Sequence, residues 1–392
     1  MHIQGSKRLS QMGSAIFAEV DQWKLEAAAQ GNHIIDLGIG SPDLPPSSEV
    51  MQALSEAVGE PDNYSYPTSV GSLAFRSKAA EWLKWRFDAE VDPESEIVTL
   101  MGSQDGLAHL ALALCNPGDY AFVPNPGYPI YAGGLALAGV EPLFIPLRAE
   151  NHFLPDFEAL PAAYVKQAKF LLLNYPSNPL AVTADAAFFE RLVAFGRSHD
   201  LLIVHDLAYS EMAFDGFRPS SILAVPGAKE IAVEFHSLSK SFNMAGCRIA
   251  FLAGNRDVVA ALRTLKSNVD FGVFKAIQHA GIAALEADMR GAGSNVSVIY
   301  EQRRDRFIER LAAQGVRIPP SQATMFLWVP IPAGYTSRQI SREMLLETGV
   351  AVIPGDAFGS EGEGYVRIAL VQQEDDLLEA ADRIGQFLRR CV

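Results

Sequence analysis

Between about residues 95 and 255, short apolar runs alternate with segments of helical spacing. EIVTLMG, YAFVP, PLFIPL, KFLLLNY, LLIVHD, IAVEFHS and RIAFLAG are β-rich, and each is bounded by turn residues. Runs that stay apolar at consecutive positions belong to strands buried on both faces. DGLAHLALALC and AAFFERLVAFGRSHD repeat their apolar residues at helical spacing, and Asn116-Pro117-Gly118-Asp119 ends the first. The alternation predicts a mostly parallel α/β layer fold. After residue 257 the pattern turns helical, with DVVAALRTLKSN and then one long stretch from Gly272 to about Ala313. MFLWVPI, AVIPG and YVRIALV predict a smaller α+β unit. No internal repeat or long linker separates the halves, so the two units are expected to share an interface.

At 392 residues the chain is long for one compact domain. A net charge of -14 without a basic tract argues against nucleic acid and against an anionic membrane surface. Cys115, Cys247 and Cys391 are far apart and odd in number, which fits a reducing compartment without a disulfide framework. MHIQGSKRLSQMGSA has no apolar core or cleavage site, so no leader is expected. Apolar runs such as AHLALALC are too short to span a bilayer, and a cytoplasmic location is expected.

In open α/β sheets, ligands gather beyond the carboxyl ends of the strands. Four runs deliver polar groups there. LLIVHD ends in Asp206 with Tyr209 three residues on, and KFLLLNYPSNP carries Asn178 in its turn. EIVTLMGSQDG passes through Gly102, Ser103 and Gln104 into a helix start, which is either a capped turn or an anion seat. IAVEFHSLSK delivers Lys240, with Ser237 and Ser239 beside it and Arg248 eight residues later. One such residue is ordinary surface chemistry; four at successive strand ends form a constellation.

Several chemistries fail on the residues. GIGSPD (38–43) begins like a dinucleotide loop but has Asp43 where the third glycine belongs. No G-x-x-x-x-G-K-S/T loop exists, and the eight histidines show no metal-ligand spacing, so no metal is expected. Ser237-Leu238-Ser239-Lys240 matches the S-x-x-K of serine acyl-transferases, but the S-D-N and K-T-G companions are missing. Pyridoxal 5'-phosphate needs all the groups together: a lysine for its aldehyde, a helix start, hydroxyls and an arginine for its phosphate, and a carboxylate for its ring nitrogen. Tyr209 and Asn178 can bond its phenolic oxygen, and Tyr128 can stack on its ring.

NYPSNP, HDLAYSEMAFDG, SLSKSFNMAGCRIAF and YVRIAL together resemble the class I/II aminotransferases of the fold-type-I pyridoxal phosphate enzymes, from about Asp36 to the end of the chain. GIGSPDLPP, PNPGYPIY and EFHSLSKSFNMAG look most like the LL-diaminopimelate aminotransferase group and related bacterial aminotransferases. The resemblance implies a large domain at 46–284 with a mostly parallel, seven-stranded sheet between helices, and a small α+β domain from 1–45 and 285–392. It implies Lys240 as the Schiff-base lysine and proton shuttle, and Asp206 at the ring nitrogen. Asn178 and Tyr209 fall at the phenolic oxygen, and Tyr128 on the ring face. Ser103, Gln104, Ser237, Ser239 and Arg248 fall at the phosphate. Tyr66 matches a tyrosine that reaches the phosphate from the neighbouring subunit of a homodimer. Arg367, helped by Gly40 and Asn178, matches the grip on the substrate α-carboxylate.

The implied activity moves an α-amino group from an amino acid to a 2-oxo acid such as 2-oxoglutarate. Aromatic, alanine or other neutral donors, or C–S β-lyase chemistry, are the alternatives. Three positions depart from the pattern. Ala181 stands where the N-P-x-G turn has glycine, Cys247 where tryptophan is frequent, and Gln104 where the diaminopimelate group carries lysine.

Overall fold

The computed structural model describes Gly5, Ser6, Arg8, Leu9, Met12 and residues 15–391. Most of the N-terminal stretch expected not to be a leader lies outside them. The strands are β1 (Ile35–Asp36), β2 (Ile97–Leu100), β3 (Tyr120–Asn125), β4 (Glu141–Pro146), β5 (Ala168–Asn174) and β6 (Leu202–Asp206). They continue with β7 (Ala232–Ser237), β8 (Ala250–Gly254), β9 (Phe326–Pro330), β10 (Val350–Ala351), β11 (Ile353–Pro354) and β12 (Tyr365–Ala369).

Seven strands form the central sheet in the order β2-β8-β7-β6-β5-β3-β4. All pairs from β7 to β4 are parallel, and β8 is antiparallel to both of its neighbours. The consecutive apolar runs have the expected cause, because alternate residues enter different layers. Val123, Leu172, Val204 and Phe235 pack with Leu107, Leu110 and Leu135 of two helices on one face. Phe122, Leu171, Ile203 and Phe251 pack with Phe75, Trp82, Phe188 and Leu192 on the other. This alternation sends Asp206 and its neighbour His205 to opposite faces of β6.

One expectation is refined. The long helical pattern after Gly272 is two helices, Lys275–Met289 and Val296–Ala313. Between them Gly291 takes φ +73, a left-handed conformation that ends helical propagation. The run AVIPG serves two sheets: β10 pairs with β1, whereas β11 pairs with β12, with Val352 between the two.

The antiparallel sheet β11-β12-β9 sets Arg367 opposite Trp328 and Ile353. Parallel pairing of β1 with β10 carries the chain on to Leu37, whose carbonyl accepts from Ala369 N at 2.7 Å. The segment 38–40 is thereby laid alongside Arg367. At the glycine-less turn, Ala181 itself adopts φ +56 and donates its N–H to the Ser177 carbonyl at 2.9 Å. The turn closes at a cost of about 1 kcal/mol for the left-handed alanine. No helix among the described residues is long and apolar enough to cross a membrane.

Candidate active site

The carboxyl ends of β5, β6 and β7 open into a cavity of about 620 Å³. Register sets Asn174 opposite Asp206, and Asp206 opposite Phe235, so their flanking turns face the same space. Ser103, Gln104, Tyr128, Asn178, Asp206 and Tyr209 line it, as do Ser237, Ser239, Lys240, Arg248, Arg367 and Gly40. Tyr66 does not. It is 82% exposed, and its ring lies 4.9 Å from that of Phe271.

At one end of the cavity is an anion seat. The helix Ser103–Leu114 starts after Gly102, and no side chain caps it, so its first N–H groups are open to a ligand. Gly102 is required there: its φ is +80, and a Cβ would lie 2.2 Å from an Arg248 guanidinium nitrogen. Arg248 takes φ +52 and reaches Ser239 Oγ at 3.4 Å. An arginine held in this uncommon conformation directs its charge toward the helix start. Ser237 Oγ accepts from Ser239 N at 3.2 Å, which leaves its own proton to donate.

In the middle stand Lys240 and Asp206. Lys240 Nζ donates to the Gly40 carbonyl. Burial, with Arg367 and Arg248 nearby, pushes its ammonium down to about 8, so a reactive neutral amine is accessible near neutral pH. Asp206 is buried on the face opposite His205, and burial pushes its carboxyl up. The Tyr131 hydroxyl donating to Oδ2 at 2.8 Å, His205, and the Ala208 amide at 3.2 Å pull the other way without fully offsetting burial. A buried carboxylate left in that state gains by meeting a cation. Burial also raises Tyr209, which keeps its hydroxyl a donor.

At the other end is Arg367. Its Nη1 donates to Asn178 Oδ1 at 2.9 Å and its Nη2 to the Gly38 carbonyl at 2.7 Å. The guanidinium lies 4.3 Å from the ring of Phe326 and 4.7 Å from that of Phe358. Burial pushes it down to about 10, which leaves it cationic at neutral pH. Its Nε is buried without a hydrogen-bond partner. A Cβ on Gly40 would lie 2.7 Å from the Phe326 ring, so glycine is what keeps this end open.

The family model for aminotransferase class I and II matches residues 32–384. The chain belongs to that family. Among curated relatives, this aminotransferase is 45% identical to the LL-diaminopimelate aminotransferase of Syntrophobacter fumaroxidans, over 97% of the chain and 98% of the relative. Among solved structures it superposes on apo-BacF of Bacillus subtilis with a TM-score of 0.94 at 37% identity, covering 99% of each chain. It matches a probable N-succinyldiaminopimelate aminotransferase of Thermus thermophilus with a TM-score of 0.89 at 40% identity, covering 95% of this chain and 100% of that one.

Some site residues of the aminotransferase went unread in its sequence. Tyr131 follows Tyr128 by one helical turn in PNPGYPIY, and that spacing was the available signal for a second aromatic hydroxyl facing the site. Phe17, Val20, Asp21 and Lys24, on the helix Ala15–Ala29, line the cavity as well. Nothing in their spacing marks them, because what brings them there is packing between distant segments. Gln104 Oε1 accepts from the Tyr128 hydroxyl at 3.1 Å, tying the helix start to that tyrosine.

Proposed function

We propose that this aminotransferase uses pyridoxal 5'-phosphate to move the amino group of LL-diaminopimelate to 2-oxoglutarate. The observation that carries the reading is the 45% identity, over nearly the whole chain, to relatives named for that donor. The residues fit the cofactor: an uncapped helix start with an arginine over a glycine cradle suits a phosphate, and the incompletely compensated Asp206 suits a protonated ring nitrogen. When bound, that cofactor supplies an aldehyde that condenses with amines and a cationic ring that accepts the electrons of the α-carbon.

The chain's own residues supply the rest. Lys240 Nζ would hold the aldehyde carbon and, once displaced by the donor's amine, would serve as the base that takes the α-proton and as the acid that delivers it to that aldehyde carbon. Asp206 Oδ atoms would hold the proton on the ring nitrogen. Tyr209 Oη and Asn178 would orient the phenolic oxygen, and Tyr128 would cover one ring face. Ser103, Gln104, Ser237, Ser239 and Arg248 would fix the phosphate. Arg367, at the far end, would bind the substrate carboxylate in a plane and so present the α-hydrogen to Lys240.

Replacing Arg367 with alanine raises the KM for amino and oxo acids alike, by roughly 30-fold or about 2 kcal/mol. Steady-state kinetics with both substrates check this, and an unchanged KM means that another group holds the carboxylate.

A second reading has one observation behind it. Gln104 is neutral where the diaminopimelate group carries lysine, and Phe17, Val20, Ile39 and Ile353 make part of the cavity wall apolar. A neutral or aromatic donor would suit that wall. An amino-donor panel with 2-oxoglutarate, following glutamate, decides between them. LL-diaminopimelate is expected to give the highest kcat/KM. A faster aromatic or alanine donor overturns the first reading, and pyruvate with ammonia from cystathionine would reveal a lyase.

The same reading makes the enzyme a cytoplasmic homodimer, with Tyr66 completing the partner's phosphate seat. The support is that Tyr66 and Phe271 are both exposed and packed on each other outside the cavity of their own chain. Sedimentation at the mass of two chains is expected, and single-chain mass in the active enzyme sinks it. It also divides the chain into a unit at 46–284 and a second one from 1–45 with 285–392.

A further inference from the structure

Beneath the cavity, on the other face of the central sheet, an otherwise apolar layer holds three ionisable side chains. His205, Glu234 and His236 are at most 2% exposed. Glu234 Oε2 accepts from His205 Nδ1 at 2.7 Å and from the Ile222 amide at 2.9 Å. Its Oε1 accepts from His236 Nε2 at 2.7 Å and from the Ser221 hydroxyl at 2.5 Å. Burial opposes the charge on Glu234, and the hydrogen bonds it accepts from His205 and His236, with the charge of His205, act the other way and lower the carboxyl. Among the described residues no group of three or more such side chains is disposed to hold a metal ion.

The hydrogen bonds identify which histidine carries the charge. His205 Nδ1 faces a carboxylate oxygen, and its Nε2 faces the Tyr175 carbonyl at 3.0 Å. Both partners can only accept, so both ring nitrogens carry protons and the ring is an imidazolium. His236 has one partner, and its Nδ1 is buried without any. A neutral Nε2–H ring satisfies that arrangement, whereas a cation would strand a buried N–H. Around the pair the walls are aromatic: Phe189 faces His205 at 4.8 Å, and Phe251 stacks on His236 at 4.9 Å, with Trp82 and Phe87 beside it. Glu234 is thus the charge facing His205 from β7, and Asp206 is its neighbour along β6.

Stability does not account for an ion pair here, because apolar residues of similar volume fill such a layer at least as well. Its position does suggest a use. Tyr175 begins the turn that carries Asn178, His205 precedes Asp206, and His236 precedes Ser237. One hydrogen-bonded chain therefore ties the ends of β5, β6 and β7 together immediately below the groups that they deliver.

We propose that His205 is a positioning residue of the aminotransferase site, a buried imidazolium that acts through Asp206 by keeping its carboxylate charged and its strand end in register with those carrying Asn178 and Ser237. The proposal rests on the cofactor reading above, in which Asp206 meets the ring nitrogen.

Two measurements test it. In 15N-labelled wild-type enzyme, one histidine is expected to carry protons on both ring nitrogens, each hydrogen-bonded, and that signal is expected to vanish in H205Q. A neutral ring at His205 overturns the proposal, whether or not the variant folds. In H205Q, the Kd for pyridoxal phosphate is expected to rise about tenfold, and the pH midpoint of the bound cofactor's visible band to move. The kcat is expected to fall while the KM of the amino donor stays within about twofold, since Arg367 is untouched. A variant that melts earlier but keeps the wild-type Kd, visible band and kcat shows a device of stability only and overturns the proposal. Failure of the wild type itself to bind pyridoxal phosphate removes instead the reading on which it rests, and the histidine spectrum still decides the charge of His205.

Discussion

Lys240→Ala is expected to lower the rate of amino transfer by about four orders of magnitude or more, because in the proposed mechanism one side chain is both covalent anchor and proton carrier. The expectation rests on position as much as on identity. Lys240 leaves a short helical turn directly after β7, and its Nζ lies within hydrogen-bonding reach of Gly40, near the open end of the Arg367 grip. Water cannot occupy that place with the same base strength or orientation. The folded chain should tolerate the change, since the side chain ends in a cavity and its loss leaves no buried partner charge unpaired. Rapid-quench turnover and the visible spectrum of the cofactor-loaded variant check this. Transamination near the wild-type rate would show that the proton moves through another group and would remove Lys240 from the mechanism.

Asp206→Asn is expected to lower kcat by about 10²- to 10³-fold, the usual consequence of removing one preorganised electrostatic partner of the reacting system. The substitution keeps volume and shape, and the side-chain oxygen can still accept from Ala208. What disappears is the charge that, on the proposed reading, holds a proton on the ring nitrogen. Because burial already pushes the native carboxyl up, the uncharged amide costs little in the fold, and the melting temperature should be unchanged or higher. Turnover therefore falls without a loss of melting temperature, a pattern that generalised damage does not give. Turnover within threefold of wild type would mean that the ring proton is held elsewhere.

Much of the central sheet could be read directly, because its strands are buried on both faces and announce themselves as unbroken apolar runs. The polar residue that ends each run, such as Asp206 or Ser237, is legible for the same reason: it sits where the apolar layer stops. Lys240 stands out by following such a run. The Arg367 surroundings were less accessible. Gly38 lies 329 residues away in the chain, and Phe326 reads only as one apolar residue of a strand. Their meeting depends on the pairing of β1 with β10 and of β12 with β9, and strands of two to five residues carry too little periodicity to reveal partners. Tyr131 hid in a helix start, where an aromatic residue is ordinarily core. The break at Gly291 was missed because flanking apolar spacing continues across it.

The unsatisfied N–H of Arg367 has an implication for recognition. Two phenylalanine rings and the register of β12 hold the guanidinium in place, with its Nε buried beside them and without a protein hydrogen-bond partner. On the proposed reading, a carboxylate arriving there meets a donor whose orientation the protein has already fixed, so part of molecular recognition is complete before any encounter takes place.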